Sequence, residues 1–255
     1  MRNSAIPGRA GRFAEQSALV VGGSRGLGRA VALALAAEGA RVLAAGRDPR
    51  SLAELRAVAS ARGIALATAR GDASRRAGVR ALFARARGAV GGPDLLVVAA
   101  GDYWEGPLSR LSEGAWEGIV RSNLTSALLC LQEALPGMRR RRHGRILLFG
   151  VAGCEYPRAA ARAHAYRAAK TALLTLARSV AVEEAEHGIT VNAILPGVIR
   201  TEALSRSRAA QVAPRIPARR LGTPQEVARA ALFLLAPESG YVTGTALHVG
   251  GGYLL

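Results

Sequence analysis

The sequence predicts a doubly wound parallel α/β sheet with helices on both faces. Three observations carry this. Short runs that are apolar throughout alternate with longer runs of helical period. The short runs lack the in–out polarity of a half-exposed sheet, as strands covered on both faces should. A glycine-rich turn closes the first short run and opens the first helical one, which is where such sheets place ligands.

Taken in order, SALVV at 17–21 is the first strand, and the period of Ala30, Val31, Leu33, Ala34 and Leu35 makes 26–37 a helix. A second strand at 41–45 ends in Gly46 and Arg47. Asp48 followed by Pro49 then has the form of an N-cap with proline in the first helical turn, opening a helix over 50–61. Further strands are expected at 65–69, 94–98, 145–149, 189–194 and 246–249, with helices at 74–88, 115–137, 160–186 and 224–235. Right-handed crossovers place the strand C-termini along one edge, so binding residues should follow strands.

No repeat, low-complexity linker or break in composition divides the 255 residues, and they are read as one domain, with 1–12 as a flexible tail. No run approaches the roughly 18–20 apolar residues needed to cross a membrane. The N-terminus has no apolar signal core, so a cytoplasmic protein is expected. Cys130 and Cys154 suit a reducing compartment and build neither a disulfide framework nor a metal site. The net charge of +17 admits nucleic acid, an anionic surface or an anionic substrate. Aromatics at 4% are too few for single-strand stacking platforms, so nucleic acid and membrane are not expected partners. The run Arg139–Arg142 reads as a solvated turn.

The turn after the first strand, Val21-Gly22-Gly23-Ser24-Arg25-Gly26-Leu27-Gly28, brings glycines to a strand-to-helix junction. Such a junction lets a pyrophosphate approach the backbone, and the helix start offers free N–H groups to it. Gly22, Ser24, Arg25, Gly26, Leu27 and Gly28 are therefore candidate dinucleotide-binding residues in a Rossmann-like fold. An acidic residue closing the second strand would select NAD. Arg47 stands there instead and favours the 2′-phosphate of NADP, with Arg25 in reach of it.

Among 35 basic residues only Lys170 is a lysine, and it follows Tyr166 by four residues in YRAAK. On a helix the two share a face. An ammonium about 4 Å from a phenol is worth roughly 4 kcal/mol at an effective dielectric of 20, enough to lower the phenol pKa by about three units. That would bring Tyr166 into the range of general acid–base catalysis.

With Gly22–Gly28, Asp72 in GDAS, Asn123 in SNL, Tyr166 with Lys170, and Pro196-Gly197 in PGVIRT, the chain resembles a short-chain dehydrogenase/reductase, most like the 3-oxoacyl-carrier-protein reductase group. The resemblance runs from about Arg12 to the C-terminus. It implies that Tyr166, Lys170 and Asn123 are catalytic. Tyr166 would protonate a carbonyl as NADPH delivers hydride, and Lys170 would also bond the nicotinamide ribose. Asn123 would kink its helix and hold a water that relays protons to Lys170. Asp72 and Ala73 would meet the adenine, and Ala100 and Gly101 would line the cofactor. Pro196, Gly197, Ile199 and Thr201 would flank the nicotinamide. A substrate pocket with Gly150, Val151, Cys154 and Tyr156 is implied, walled by 153–162 and by a basic lid over 200–220. The substrate would be a small molecule, free or carrier-bound, and the protein a dimer or tetramer joined through 115–137, 160–186 and the C-terminal strand.

The pattern breaks in three places. The family's serine after the fifth strand is missing, since 144–166 holds no Ser or Thr and Gly150 or Val151 takes its place. The amides after the fourth strand are replaced by Val98-Ala99-Ala100-Gly101, and Gly250 stands where an acidic residue is usual. An NADPH-dependent ketone reductase is the leading expectation. The alternatives are a site repurposed for non-redox cyclase or dehydratase chemistry, and a dinucleotide-binding regulator.

Overall fold

The structure, a computed structural model, describes residues 11–156, 159, 161–202 and 204–254. Most of the expected tail 1–12, and three positions of the expected wall 153–162, lie outside the described residues. In chain order the elements are β1 Ser17–Val21, α1 Gly26–Ala37, β2 Arg41–Gly46, α2 Pro49–Ala61, β3 Ala67–Arg70, α3 Arg76–Val90 and β4 Leu95–Val98. There follow α4 Glu113–Val120, α5 Ser126–Arg141, β5 Gly144–Phe149, α6 His164–Glu184, β6 Ile189–Pro196, α7 Arg206–Val212, α8 Pro224–Leu235 and β7 Ala246–Val249.

The seven strands form one sheet in the order β3-β2-β1-β4-β5-β6-β7, and every neighbouring pair is parallel. Pleating sorts each strand's side chains between two cores. Leu19, Val21, Leu96, Val98, Ile146 and Leu148 meet α3, α5 and α6 on one face. Ala18, Val20, Leu95, Val97, Leu147 and Phe149 meet α1, α2 and α8 on the other. Two-sided burial is why these strands read as unbroken apolar runs. The strand order reverses between β1 and β4, which opens a crevice beyond their C-terminal ends.

Local chemistry sets several helix starts. Asp48 caps α2, accepting from the backbone N–H groups of Arg50 and Ser51 at 3.1 and 3.2 Å, as the sequence suggested. Thr223 and Glu226 form a reciprocal capping box on α8. The expected helix over 115–137 is not continuous. Residues Arg121–Thr125 form a π-helical turn between α4 and α5, and such turns concentrate at functional positions. The expected lid 200–220 contains a short helix, α7, capped by Ser205, whose hydroxyl accepts from the Arg208 N–H at 3.2 Å. Val212 and Ile216 of that segment and the adjoining Leu221 are buried, and the half-buried Tyr253 of the C-terminal tail packs against them. Among the described residues no helix is long and apolar enough to cross a membrane.

Candidate active site

The expected cofactor residues from the glycine turn, Asp72 and Pro196–Thr201 gather at one edge of the sheet. Gly22 has φ +80°, and a Cβ there would lie 2.5 Å from the Ala100 backbone nitrogen. A Cβ on Gly28 would overlap the Gly22 carbonyl. Only glycine lets the turn fold this tightly against the loop after β4. No side chain caps the N-terminus of α1 at Arg25, and no acidic residue sits in its first turn. The donor end of the helix is therefore left for an anion. Ser24 is buried beneath the turn, while Leu27 is half-buried and Arg25 exposed. Thr201, in the loop after β6, reaches over the turn, its Cγ2 3.9 Å from where a Gly26 Cβ would stand. Pro196 ends β6, Gly197 donates to the Val249 carbonyl at 3.0 Å, and Ile199 pairs with Gly222.

Arg47, just past β2, does not point freely into solvent. Its Nη2 lies 2.5 Å from Asp102 Oδ1, and this bond raises the guanidinium pKa above its usual value. Asp72, past β3, accepts from the Ser74 N–H at 3.0 Å. Partial burial opposes its ionisation, but the Ser74 hydrogen bonds and the charges of Arg47 and Arg75 hold its carboxyl below the usual range. Ala73 beside it is buried.

The π-turn places Asn123 between the loop after β4 and α6. Its Nδ2 donates to the carbonyls of Asp102 at 2.8 Å and Ile119 at 3.0 Å. Its Oδ1 is buried with no partner among the described residues. That oxygen also lies where any Gly101 side chain would have to go. An unmet buried acceptor costs about 1–3 kcal/mol, so it marks a place for a donor such as water.

Tyr166 and Lys170 stand on successive turns of α6, with Lys170 Nζ 5.7 Å from the centroid of the Tyr166 ring. The ammonium donates to the Phe149 carbonyl at the end of β5, at 2.6 Å. Here the structure corrects the electrostatic expectation. Burial pushes the Tyr166 pKa up to about 12, helped by the nearby Tyr103 and Cys154 groups. Burial also pulls Lys170 down to about 8. The lysine directs its ammonium to a backbone carbonyl, and desolvation dominates the phenol, with Arg167 the group that opposes it.

The loop beyond β5 takes a side chain at position 150 only if buried neighbours shift. A Cβ on Gly150 would strike Leu195 and come within 3.1 Å of Cys154 Sγ. Val151 is half-buried and packs against Cys154, Leu174, Ala193 and Leu195. The Cys154 thiol is 1% exposed and burial raises its pKa, so it is a poor substitute for a hydroxyl facing substrate. Tyr156 is 65% exposed and turned to solvent.

Sequence reasoning missed the loop that roofs this edge. Tyr103 packs edge-on against Tyr166, ring centroids 5.0 Å apart, and its hydroxyl donates to Glu105 at 3.0 Å. The signal was an aromatic pair, Tyr103-Trp104, directly after a strand in a chain poor in aromatics. The positive charges of Arg208 from α7 and Arg167 from α6 act on the Tyr103 hydroxyl, though its burial and the bond to Glu105 outweigh them and raise its pKa.

The family described as enoyl-(acyl carrier protein) reductase matches residues 21–254. The 3-oxoacyl-[acyl-carrier-protein] reductase FabG of Escherichia coli strain K12 is 36% identical over 244 residues, covering 94% of this chain and 98% of that protein. The chain belongs to the short-chain dehydrogenase/reductase family. Within it the chain is FabG-like, since the Staphylococcus aureus FabG is also 35% identical over 93% of this chain and 97% of its own length. Among solved structures, actinorhodin polyketide ketoreductase with NADPH superposes with a TM-score of 0.88 at 28% identity, over 94% of this chain and 97% of that one. This short-chain dehydrogenase/reductase is thus an oxidoreductase of the dehydrogenase/reductase kind.

Proposed function

We propose that the protein is an NADPH-dependent reductase of a ketone, with a 3-oxoacyl thioester as the first substrate to test. The observation that carries this is the Tyr166–Lys170 pair on successive turns of α6, its lysine bonded to the end of β5, on a sheet whose strand order reverses beside an uncapped α1 start. The glycine turn that a Cβ would fill, and the uncapped N-terminus behind it, suit a dinucleotide's pyrophosphate. Asp72 suits the adenine amino group, Arg47 a 2′-phosphate, and Pro196, Gly197, Ile199 and Thr201 the nicotinamide end.

NADPH, when bound, supplies the hydride. The chain supplies the proton. With a pKa near 12, Tyr166 keeps its proton across the physiological range and donates it to the alkoxide that forms at the carbonyl oxygen, a far stronger base. Lys170, near 8, exchanges protons readily at neutral pH and refills the phenol. A water on the unmet Asn123 Oδ1 extends that relay toward solvent. Tyr103 closes the far side of Tyr166 and limits water there.

The names of the curated relatives place their substrates on an acyl carrier protein. Arg200, Arg206, Arg208 and Arg215 make no side-chain ion pair among the described residues and give the lid a cationic rim toward such an acidic carrier. The exposed apolar side chains Trp116, Leu128 and Val182 on α4, α5 and α6 favour burial in a homo-oligomer. A site repurposed for non-redox chemistry is favoured by one observation, a crowded glycine at position 150 with valine after it where a hydroxyl is usual.

The experiment is NADPH consumption over 3-oxoacyl thioesters, diketones, quinones and cyclic ketones, with wild type beside Tyr166→Phe. Turnover that vanishes in the variant is expected. A wild type that binds NADPH but turns over nothing moves the site to the repurposed reading.

A further inference from the structure

The pair between Arg47 and Asp102 joins residues 55 positions apart and crosses the sheet edge. Arg47 follows β2 and Asp102 follows β4, and β1 lies between those strands. With neighbouring strands about 4.8 Å apart, the pair spans about 10 Å over the C-terminal end of β1, where Gly22 leaves the sheet. It therefore lies over the glycine turn.

Asp102 is held there by its backbone. Its N–H donates to Ser122 Oγ at 3.1 Å, and its carbonyl accepts from Asn123 Nδ2 at 2.8 Å. Those two bonds tie it to the π-turn and leave the carboxylate to project toward β2. The side chains of Arg47 and Asp102 are 54% and 38% exposed. Exposed pairs of this kind are weak and exchange partners readily.

We propose that Asp102 is an internal stand-in for the cofactor's 2′-phosphate and so a specificity-determining residue. It holds the Arg47 guanidinium over the crevice and hands it to the phosphate as NADPH enters. The inference rests on the reading of Arg47 as a phosphate ligand. Carboxylate and phosphate compete for one guanidinium, since both take its planar fork of donors. NADH carries no group that competes, so Asp102 weakens NADPH binding and leaves NADH binding alone.

The test is calorimetric titration of the full chain with NADPH and with NADH, in wild type, Asp102→Asn, Arg47→Gln and the double variant. Asp102→Asn is expected to tighten NADPH about two- to fivefold, the range an exposed pair allows. It should leave NADH unchanged and be silent in the Arg47→Gln background. Unchanged NADPH affinity in Asp102→Asn overturns the exchange. So does equal tightening of both cofactors, which makes the pair a simple obstruction. A wild type that binds NADH as tightly as NADPH fails the reading of Arg47 itself. An NADPH-selective wild type with a silent Asp102→Asn fails only the exchange.

Discussion

Lys170→Met separates what this lysine does for chemistry from what it costs the fold. The side chain is 5% exposed, and burial holds its pKa down from 10.5 to about 8. At about 1.4 kcal/mol per pH unit, the buried ammonium opposes folding by about 3 kcal/mol at neutral pH. Removing it also leaves the Phe149 carbonyl short of a donor, worth about 1–3 kcal/mol. The variant should be as stable as wild type or more stable by up to about 2 kcal/mol at pH 7.5, while losing turnover. The sign of the pH dependence is the sharper measure. Between pH 8 and 10.5 the unfolded chain holds the lysine proton and the folded chain does not. Wild-type stability therefore rises with pH across that window. Between about pH 7.5 and 9.5 wild type should gain about 2 kcal/mol relative to the methionine variant. Tyr166, raised from 10 to about 12, acts at higher pH, where stability is lost as pH climbs from 10 to 12, and both proteins share that loss. Urea unfolding at the two pH values reads the difference. Equal pH dependence in wild type and variant would refute the burial argument.

Two further outcomes follow from the same site. kcat/KM for ketone reduction should be level below pH 7.5 and fall tenfold per unit above an apparent pKa near 8, as Lys170 loses the proton it passes on; an alkaline limb at 10 or above would place the titration elsewhere. Val151→Ser should raise kcat by about tenfold or more, since one well-placed donor to a developing oxyanion is worth about 10²–10³ in rate. It should also lower the melting temperature by a few degrees through lost packing against Leu174 and Leu195. Steady-state kinetics and a thermal melt check both, and an unchanged kcat means another group already serves the carbonyl.

The sheet was legible because its strands are covered on both sides. Runs such as DLLVVAA leave no other reading when helical periods flank them. Asp48 was legible as a cap because the signal is local. The π-turn was not legible in the residue pattern, since Arg121–Thr125 fits the helical period; only the resemblance, which implied a kink at Asn123, pointed to the break that the Asn123 contacts to Asp102 and Ile119 accompany. Helix α7 was hidden by its arginines, although Ser205 was a usable cap signal. The direction of the Tyr166 shift depends on how deeply α6 buries it, a property of packing that spacing does not carry. Asp102 and Tyr103 escaped notice because their partners, Arg47 and Tyr166, are distant in sequence and near only once the sheet has formed.

The C-terminal tail gives the segment 200–220 a third attachment. Tyr253 packs with Val212, Ile216 and Leu221, and the Ala218 N–H donates to the Gly251 carbonyl at 3.0 Å. A loop fixed only at its ends swings about them, whereas this one is buttoned to the last strand at its middle. A substitution at Tyr253 therefore loosens a segment more than thirty residues away in sequence, and its effect is felt by Val212 and Ile216 before it is felt by the strand.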